Sequence, residues 1–258
     1  MNVQKSNVQN GQPYPELVAI VLTRNEAAHI VACVESLAWA DQVLVFDSFS
    51  DDATCSLARS AGANVVQHHF EDYAQQRNAA LDSVAAEWVF FVDADERGTP
   101  ALAAEVKRIM RTRPEAGWYV PRHNYIFGRL TMGAGWYPDY QLRLFRRGRV
   151  RYERPVHEVA KVDGQIGYLE QPLLHYNYRN VAHFHAKQRR YTGVNAQILR
   201  EQGVRPKFYT PFTQPLRHFW WRFVTLKGYR DGVHGLRLSL YMAYYEWATY
   251  RALRQLQR

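Results

Sequence analysis

Asp93 and Asp95 flank one alanine directly behind the apolar run Trp88-Val89-Phe90-Phe91-Val92. After an extended strand this spacing points both carboxylates into one crevice, where two adjacent anions repel unless a cation joins them. A hard divalent ion, Mg2+ or Mn2+, answers that problem. Held by one or two carboxylates, it keeps coordination positions for substrate phosphate oxygens and can neutralise a departing diphosphate. An Asp-X-Asp triplet by itself more often marks a solvated acidic turn. Its place behind an apolar run is what makes it a candidate site.

Other apolar runs also end on polar groups. Residues 17–23 lead into Arg24-Asn25-Glu26, and residues 42–46 end at Asp47. An NAD or FAD site would need a glycine-rich turn after the first strand, and Thr23-Arg24-Asn25-Glu26 holds no glycine. The sequence also lacks a Gly-Lys-Ser/Thr P-loop, which argues against a P-loop ATPase.

The elements that must position these groups follow from periodicity. Four short apolar runs, 17–23, 42–47, 64–68 and 88–92, alternate with helix-patterned segments, the signature of βαβ units and a parallel, Rossmann-like sheet. Ligands of such sheets bind beyond the carboxyl ends of the strands, where the polar groups above fall. A first helix is expected over about 26–39, a second from Ala53 with Asp51 or Asp52 as its cap, and a third over 73–84. Thr99-Pro100 supplies an N-cap and a first-turn proline for a helix ending near Arg113. Beyond Trp118 the chain becomes aromatic and basic, with strands expected at 118–124, 125–131, 141–145 and 173–178. A helix over 181–201, a proline-punctuated stretch (Pro206, Pro211, Pro215) and further aromatic helical segments follow.

With 258 residues, 47% of them hydrophobic, the chain can bury a substantial core. Residues 1–16 are polar and read as a loose leader without an export signal, so cytoplasmic residence is expected. Cys33 and Cys55 are too few for a disulfide framework; they suit a reducing compartment and read as small buried hydrophobes. The net charge of +9 is uneven: residues 1–142 carry 11 basic and 17 acidic side chains, residues 143–258 carry 22 and 7. A basic half can hold phosphates, nucleic acid or an anionic membrane surface.

Taken in order, residues 18–26 (Val-Ala-Ile-Val-Leu-Thr-Arg-Asn-Glu), residues 45–54 (Val-Phe-Asp-Ser-Phe-Ser-Asp-Asp-Ala-Thr), Gln75-Gln76-Arg77-Asn78 and Asp93-Ala94-Asp95-Glu96 resemble the family 2 glycosyltransferases, over roughly residues 17–160. The likeness is to the branch that includes lipopolysaccharide core-biosynthesis enzymes. It implies a GT-A fold: α/β, with a mostly parallel Rossmann-like sheet, added antiparallel strands and a helical C-terminal appendage. The implied layout is a catalytic domain over 17–180, with a nucleotide half at 17–97 and an acceptor half at 98–180, then a basic, aromatic helical region at 181–258. The implied reaction is an inverting displacement, from a nucleotide-sugar donor of the UDP type to a glycolipid or saccharide acceptor in bacterial envelope assembly. Oligomeric state stays open.

Carried over by residue, the resemblance places Thr23, Asn25 and Glu26 around the nucleotide and Asp47 on the base or ribose. Gln76, Arg77 and Asn78 form the motif whose arginine reaches the nucleotide or diphosphate. Asp95 is the direct metal ligand, and Asp93 shares the metal and the ribose. Ser50 and Asp52 are explained as well by helix capping. A second block, residues 135–147 (Gly-Trp-Tyr-Pro-Asp-Tyr-Gln-Leu-Arg-Leu-Phe-Arg-Arg) followed by Pro155-Val156-His157-Glu158, resembles the family's acceptor side. Inversion needs a carboxylate to accept the acceptor hydroxyl's proton, and Glu158 and Asp139 are the candidates. His157 suits a metal ligand or diphosphate donor, and Arg143 a fork on the diphosphate. The chain lacks a clear Glu-Asp base pair and a Gln-X-X-Arg-Trp motif, which leaves the base open between the two carboxylates.

Residues 207–258 mix Phe212, Phe219, Trp220, Trp221 and Phe223 with Arg217, Arg222 and Lys227, a composition suited to peripheral contact at the inner face of a membrane, to core packing or to a dimer contact. Two other classes compete with the transferase. A metal-dependent nucleotidyltransferase would need a glycine-rich loop after the first strand. A basic nucleic-acid-binding protein would not place four acidic groups at its strand ends, so no nucleic-acid partner is expected.

Overall fold

A computed structural model of the chain describes residues 15–154 and 159–257, together with the backbone of the short paired strands β1 (Val8–Gln9) and β2 (Gln12–Pro13). Two compact units are present: one runs to Arg122 and resumes over Tyr140–His175, and the other comprises His123–Asp139 and the chain from Tyr176.

The first unit alternates strand and helix: β3 (Leu17–Thr23), α1 (Ile30–Ser36), β4 (Gln42–Asp47), α2 (Thr54–Ser60), β5 (Asn64–Gln67), α3 (Tyr73–Asp82), β6 (Trp88–Asp93), β7 (Glu96–Arg97) and α4 (Pro100–Thr112). Next come β8 (Gly117–Ile126), β9 (Arg129–Thr131), β10 (Tyr140–Arg146), β11 (Val150–Glu153), β12 (Val159–Val162), β13 (Ile166–Tyr168) and β14 (Leu173–Tyr178). Strands β5, β4, β3 and β6 lie side by side in parallel, and β10 joins antiparallel to β6 and to β8. Alternation along these strands covers both faces. Leu17, Ala19, Val21, Trp88, Phe90 and Val92 pack on one side with Ile30, Leu102 and Val106 of α1 and α4. Val18, Ile20, Val89 and Phe91 pack on the other with Ala80 and Leu81 of α3. Each fully buried large side chain contributes about 1.5–3 kcal/mol, so the sheet is the rigid platform of this unit.

Three local differences from the sequence expectation have physical causes. The first helix spans seven residues rather than 26–39, because the backbone N–H groups of Asn25, Glu26 and Ala27 donate to Ser50, Thr54 and Asp52 across the strand ends instead of to a helical cap of their own. Strands expected at 118–124 and 125–131 are instead one long β8 and a short β9. The turn falls at Phe127-Gly128, both with positive φ (52° and 74°), the backbone of a two-residue hairpin. Pro211 and Pro215 do not precede a helix but lie inside α6 (Thr210–Trp220): the first needs no N–H in the opening turn, and the second forgoes one backbone bond. Thr99 caps α4 as the sequence predicts, accepting from the Leu102 N–H.

The second unit is built on α5 (Val181–Glu201), α6, a π-helical turn at Trp221–Thr225, a 3-10 turn at Gly228–Asp231 and α7 (Val233–Leu256). Ile126, Tyr178, Phe184, Leu238 and Tyr245 form its core. Gln188 donates to the Tyr178 hydroxyl at 3.0 Å, and His185 Nδ1 pairs with the Tyr245 hydroxyl at 2.7 Å. Among the described residues no helix is long and apolar enough to cross a membrane.

Candidate active site

The parallel ladder brings the candidate residues of the first unit to one edge. Thr23 lies opposite Asp47 on neighbouring strands, and Asp93 opposite Leu22, so residues 24, 46 and 70 positions apart share the carboxyl ends of β3, β4 and β6. Thr23 donates to Asp47 Oδ1 at 3.1 Å, and the Ser50 hydroxyl donates to the same oxygen; Oδ2 accepts from the Ser50 N–H at 2.8 Å and from Gln67 at 3.2 Å. Burial pushes the Asp47 pKa up, but hydrogen bonds from the Ser50 hydroxyl and N–H and from Gln67 outweigh it and hold the carboxyl below its ordinary value. Four donors match the acceptor capacity of a carboxylate, so the contact with base or ribose expected of Asp47 requires one of them to give way.

The loop after β3 is held from across the sheet. Asn25, at φ 57°, accepts from the Asp51 N–H at 3.0 Å while its own N–H reaches Ser50 Oγ at 2.8 Å. The Glu26 N–H donates to Thr54 Oγ1 at 2.8 Å. Ser50 and Asp52, read from the sequence as helix caps, therefore fix two loops to each other, and Asp52 also accepts from the Thr54 N–H at 2.9 Å.

Helix α3 presents the Gln-Arg-Asn motif in three directions. Gln76, buried, donates to Ser48 Oγ at 3.0 Å and pairs through Oε1 with His68 Nδ1 at 3.1 Å. The Arg77 guanidinium lies 5.3 Å from the ring centres of both Phe91 and Tyr152. Asn78 clasps the backbone of Tyr152, donating to its carbonyl and accepting from its N–H, each at 2.9 Å. That clasp fixes β11, the strand that leads into 155–158.

At the end of β6 the two aspartates part company. Asp93, with its side chain 37% exposed, takes both arms of the Arg143 guanidinium. The same Arg143 donates to Glu96 Oε1 at 3.0 Å, Arg122 reaches that oxygen at 3.2 Å, and Glu96 Oε2 accepts the Asp93 N–H at 2.9 Å. Burial pushes the Asp93 pKa up, but Arg143, aided by Arg77 and Arg122, outweighs it and holds the carboxyl well below the usual carboxylate range. Burial would likewise lower the Arg143 pKa, yet Asp93 and Glu96 raise it, so the cluster is ionised. The fork expected on a diphosphate is thus spent on Asp93 and Glu96. Asp95, 28% exposed, points elsewhere: its Oδ2 stands 3.4 Å from Nε2 of the buried His175 on β14. Arg97 braces the whole loop, donating to the carbonyls of Ala94 (2.8 Å), Glu96 (2.6 Å) and His29 (3.0 Å). Beneath it lies Cys33, whose thiol is pushed up to about 12 by burial.

Sequence reasoning did not single out Glu96, Arg122 or His175 as site residues. Glu96 stood in the Asp93-Ala94-Asp95-Glu96 motif, but its full burial carried no local signal; Arg122 and His175 come from strands 26 and 80 residues away from their partners. Glu158 and His157 lie outside the described residues. Asp139 belongs to the second unit, where it accepts from Asn124 at 3.0 Å. Arg146, Arg149 and Arg151 form surface pairs with Glu87, Asp163 and Asp82.

Among the described residues no group of three or more His, Cys, Asp or Glu is arranged to hold a metal. The pair Asp95–His175 still fits a divalent ion. Neighbouring ligands of an octahedral shell with bonds of about 2.1 Å stand about 3 Å apart, close to the observed spacing, and an ion that takes its remaining bonds from phosphate and water needs few protein ligands.

Residues 18–159 match the family model described as glycosyl transferase family 2. The chain is 30% identical over 251 residues to the lipopolysaccharide core biosynthesis glycosyltransferase LpsC of Rhizobium meliloti, covering 92% of this chain and 91% of that protein. It is 25% identical over 255 residues to an uncharacterised glycosyltransferase of Rickettsia bellii, covering 93% and 87%. Among solved structures it resembles the mannosyltransferase PcManGT from Pyrobaculum calidifontis in complex with GDP-Man and Mn2+, with a TM-score of 0.55, 17% identity and coverage of 95% and 88%. The parallel sheet with antiparallel additions and a helical C-terminal region is the GT-A fold. The chain belongs to glycosyl transferase family 2.

Proposed function

We propose that this family 2 enzyme is an inverting, metal-dependent transferase that moves a sugar from a nucleotide-diphosphate donor of the UDP type to a glycolipid or polysaccharide acceptor in lipopolysaccharide-core-like envelope assembly, from the cytoplasmic side. The observation that carries this reading is the crevice edge itself. There Thr23–Glu26, Asp47 and the Asp93–Glu96 loop meet, and Asp95 stands beside His175.

In this reading the loop of Thr23, Asn25 and Glu26 and the Asp47 carboxylate receive the nucleoside, with Gln76 and Arg77 behind them. Asp95 and His175, with His157 from outside the described residues, would hold Mg2+ or Mn2+, which when bound supplies positive charge for the departing diphosphate. Asp93, kept ionised by Arg143, faces the ribose side of the same site. The acceptor hydroxyl oxygen attacks the anomeric carbon as the bond to the diphosphate oxygen breaks. The hydroxyl proton passes to a carboxylate on the opposite face, Glu158 or Asp139.

The test is binding. A screen of nucleotide sugars by thermal shift in the presence of Mn2+ is expected to raise the melting temperature with a UDP-sugar, because ligand that binds only the folded chain stabilises it. Asp95→Asn is expected to weaken the Mn2+-dependent part of that shift by about tenfold or more in apparent affinity. Turnover and metal response unchanged in that variant would overturn the metal assignment.

A further inference from the structure

Phe208, Phe212, Leu216, Trp220 and Val224 recur at every fourth position and are 78, 68, 71, 64 and 37% exposed. Positions four apart share one helix face, so from Phe212 onward these side chains form a single outward stripe along α6 and the π-helical turn, about 18 Å long. The inward side carries ionisable groups beside the half-buried, stacked rings of Phe219 and Phe223. Buried Pro211 lies there with His218, 3.5 Å from Glu246 on α7, and with Arg222, which donates to His218 and to the carbonyl of Ala134 at 2.6 Å each. A helix on a water-facing domain turns its apolar stripe inward. Here His218 and Arg222 are packed while Phe212, Leu216 and Trp220 are presented.

The charge around the stripe identifies what it meets. Residues 205–230 hold six basic side chains, Arg205, Lys207, Arg217, Arg222, Lys227 and Arg230, and no aspartate or glutamate. All but Arg222 are exposed. A second copy laid on the same stripe would bring two such like-charged sets together. An anionic bilayer surface satisfies both features at once: phenyl, leucyl and indole groups enter the boundary between headgroups and acyl chains, while arginine and lysine stay among the phosphates.

We propose that α6 and the following turn dock the chain flat on an anionic lipid bilayer surface through Phe212, Leu216 and Trp220, with Lys207, Arg217 and Lys227 on the headgroups. The inference rests on the composition of this stripe alone, so it fails or stands separately from the transferase reading; if both hold, the surface is where a lipid-linked acceptor is met.

Flotation of the full chain with phosphatidylcholine vesicles, with and without phosphatidylglycerol, tests it. The expected result is association with the anionic vesicles at low salt, weakening as salt rises, with a blue shift of tryptophan emission. The triple variant Phe212→Ser/Leu216→Ser/Trp220→Ser should lower partitioning about tenfold or more while its circular dichroism and melting stay as in the parent, since it alters exposed positions. Arg217→Glu/Lys227→Glu should abolish the preference for phosphatidylglycerol. No association of the parent chain at low salt, equal association of the triple variant, or equal association with both vesicle types overturns the proposal. So does self-association that the triple variant abolishes without any vesicle binding, which would make the stripe a contact between copies.

Discussion

Replacing Arg143 by methionine takes the central cation out of a cluster whose other members keep their charges. Glu96, fully buried, loses a 3.0 Å partner but retains Arg122 at 3.2 Å and the Asp93 N–H at 2.9 Å. Asp93 loses both guanidinium arms, yet its side chain is 37% exposed, so water screens much of that loss. Breaking a buried ion pair by removing one partner costs about 3–5 kcal/mol, and the two retained Glu96 contacts place this case at about 3 kcal/mol. For a chain of this length that corresponds to a melting temperature about 6–12 °C lower. The pH dependence has a definite sign. Because the folded Asp93 pKa is depressed, its contribution is present above the unfolded value of about 3.9 and is lost as the pH falls through the folded value. The gap between parent and variant is therefore full at pH 7 and narrows below about pH 4. Urea unfolding at both pH values measures it, and Arg143→Met/Glu96→Gln should recover part of the loss by removing the stranded buried charge. A loss under about 1 kcal/mol at pH 7, or a gap that widens on acidification, would refute the reasoning.

Three further outcomes are expected. Asn78→Ala removes both bonds to the Tyr152 backbone and should cost about 1–3 kcal/mol; transfer should fall more than donor affinity, and a selective loss of donor affinity would contradict the assigned anchoring of β11. His218 accepts from Arg222 through Nε2, and burial, followed by the Arg222 and Arg217 charges, pushes its pKa down to about 4. The stability this contributes is full above the unfolded value of about 6.5 and is lost as the pH falls from there through 4, on the order of 2 kcal/mol after allowing for partial exposure. His218→Gln should flatten that slope in a pH series of melting curves, and an unchanged slope counts against it. Finally, Glu158→Gln is expected to keep donor binding and lose transfer, whereas the same phenotype confined to Asp139→Asn would move the base to Asp139; pre-steady-state transfer assays beside donor titrations separate the two.

Much of the platform was legible because its signals are local. Alternation and apolar content placed β3, β4 and β6 within a residue of their ends, and Thr99-Pro100 announced α4 through capping chemistry that needs only four residues. The first helix was misjudged because the partners of residues 25–27, namely Ser50, Asp52 and Thr54, reach the loop from a neighbouring strand end. The hairpin at Phe127-Gly128 was missed for a related reason: a phenylalanine at φ 52° is held there by the strands it joins, not by its own preference.

From the sequence alone came the family, the order of the motifs and the acidic end of β6, since residue type and spacing along one strand decide these. Only the tertiary structure decided which aspartate takes which partner. Asp93 meets an arginine 50 residues on, which keeps it ionised, and Asp95 meets a histidine 80 residues on, because strand register and side-chain direction carry distant residues to one edge. The aromatic C-terminal segment was compatible from composition with core, copy or membrane. Helix phase against α7 turned Phe212, Leu216 and Trp220 outward, and periodicity alone does not say which side of an amphipathic helix its neighbours will cover.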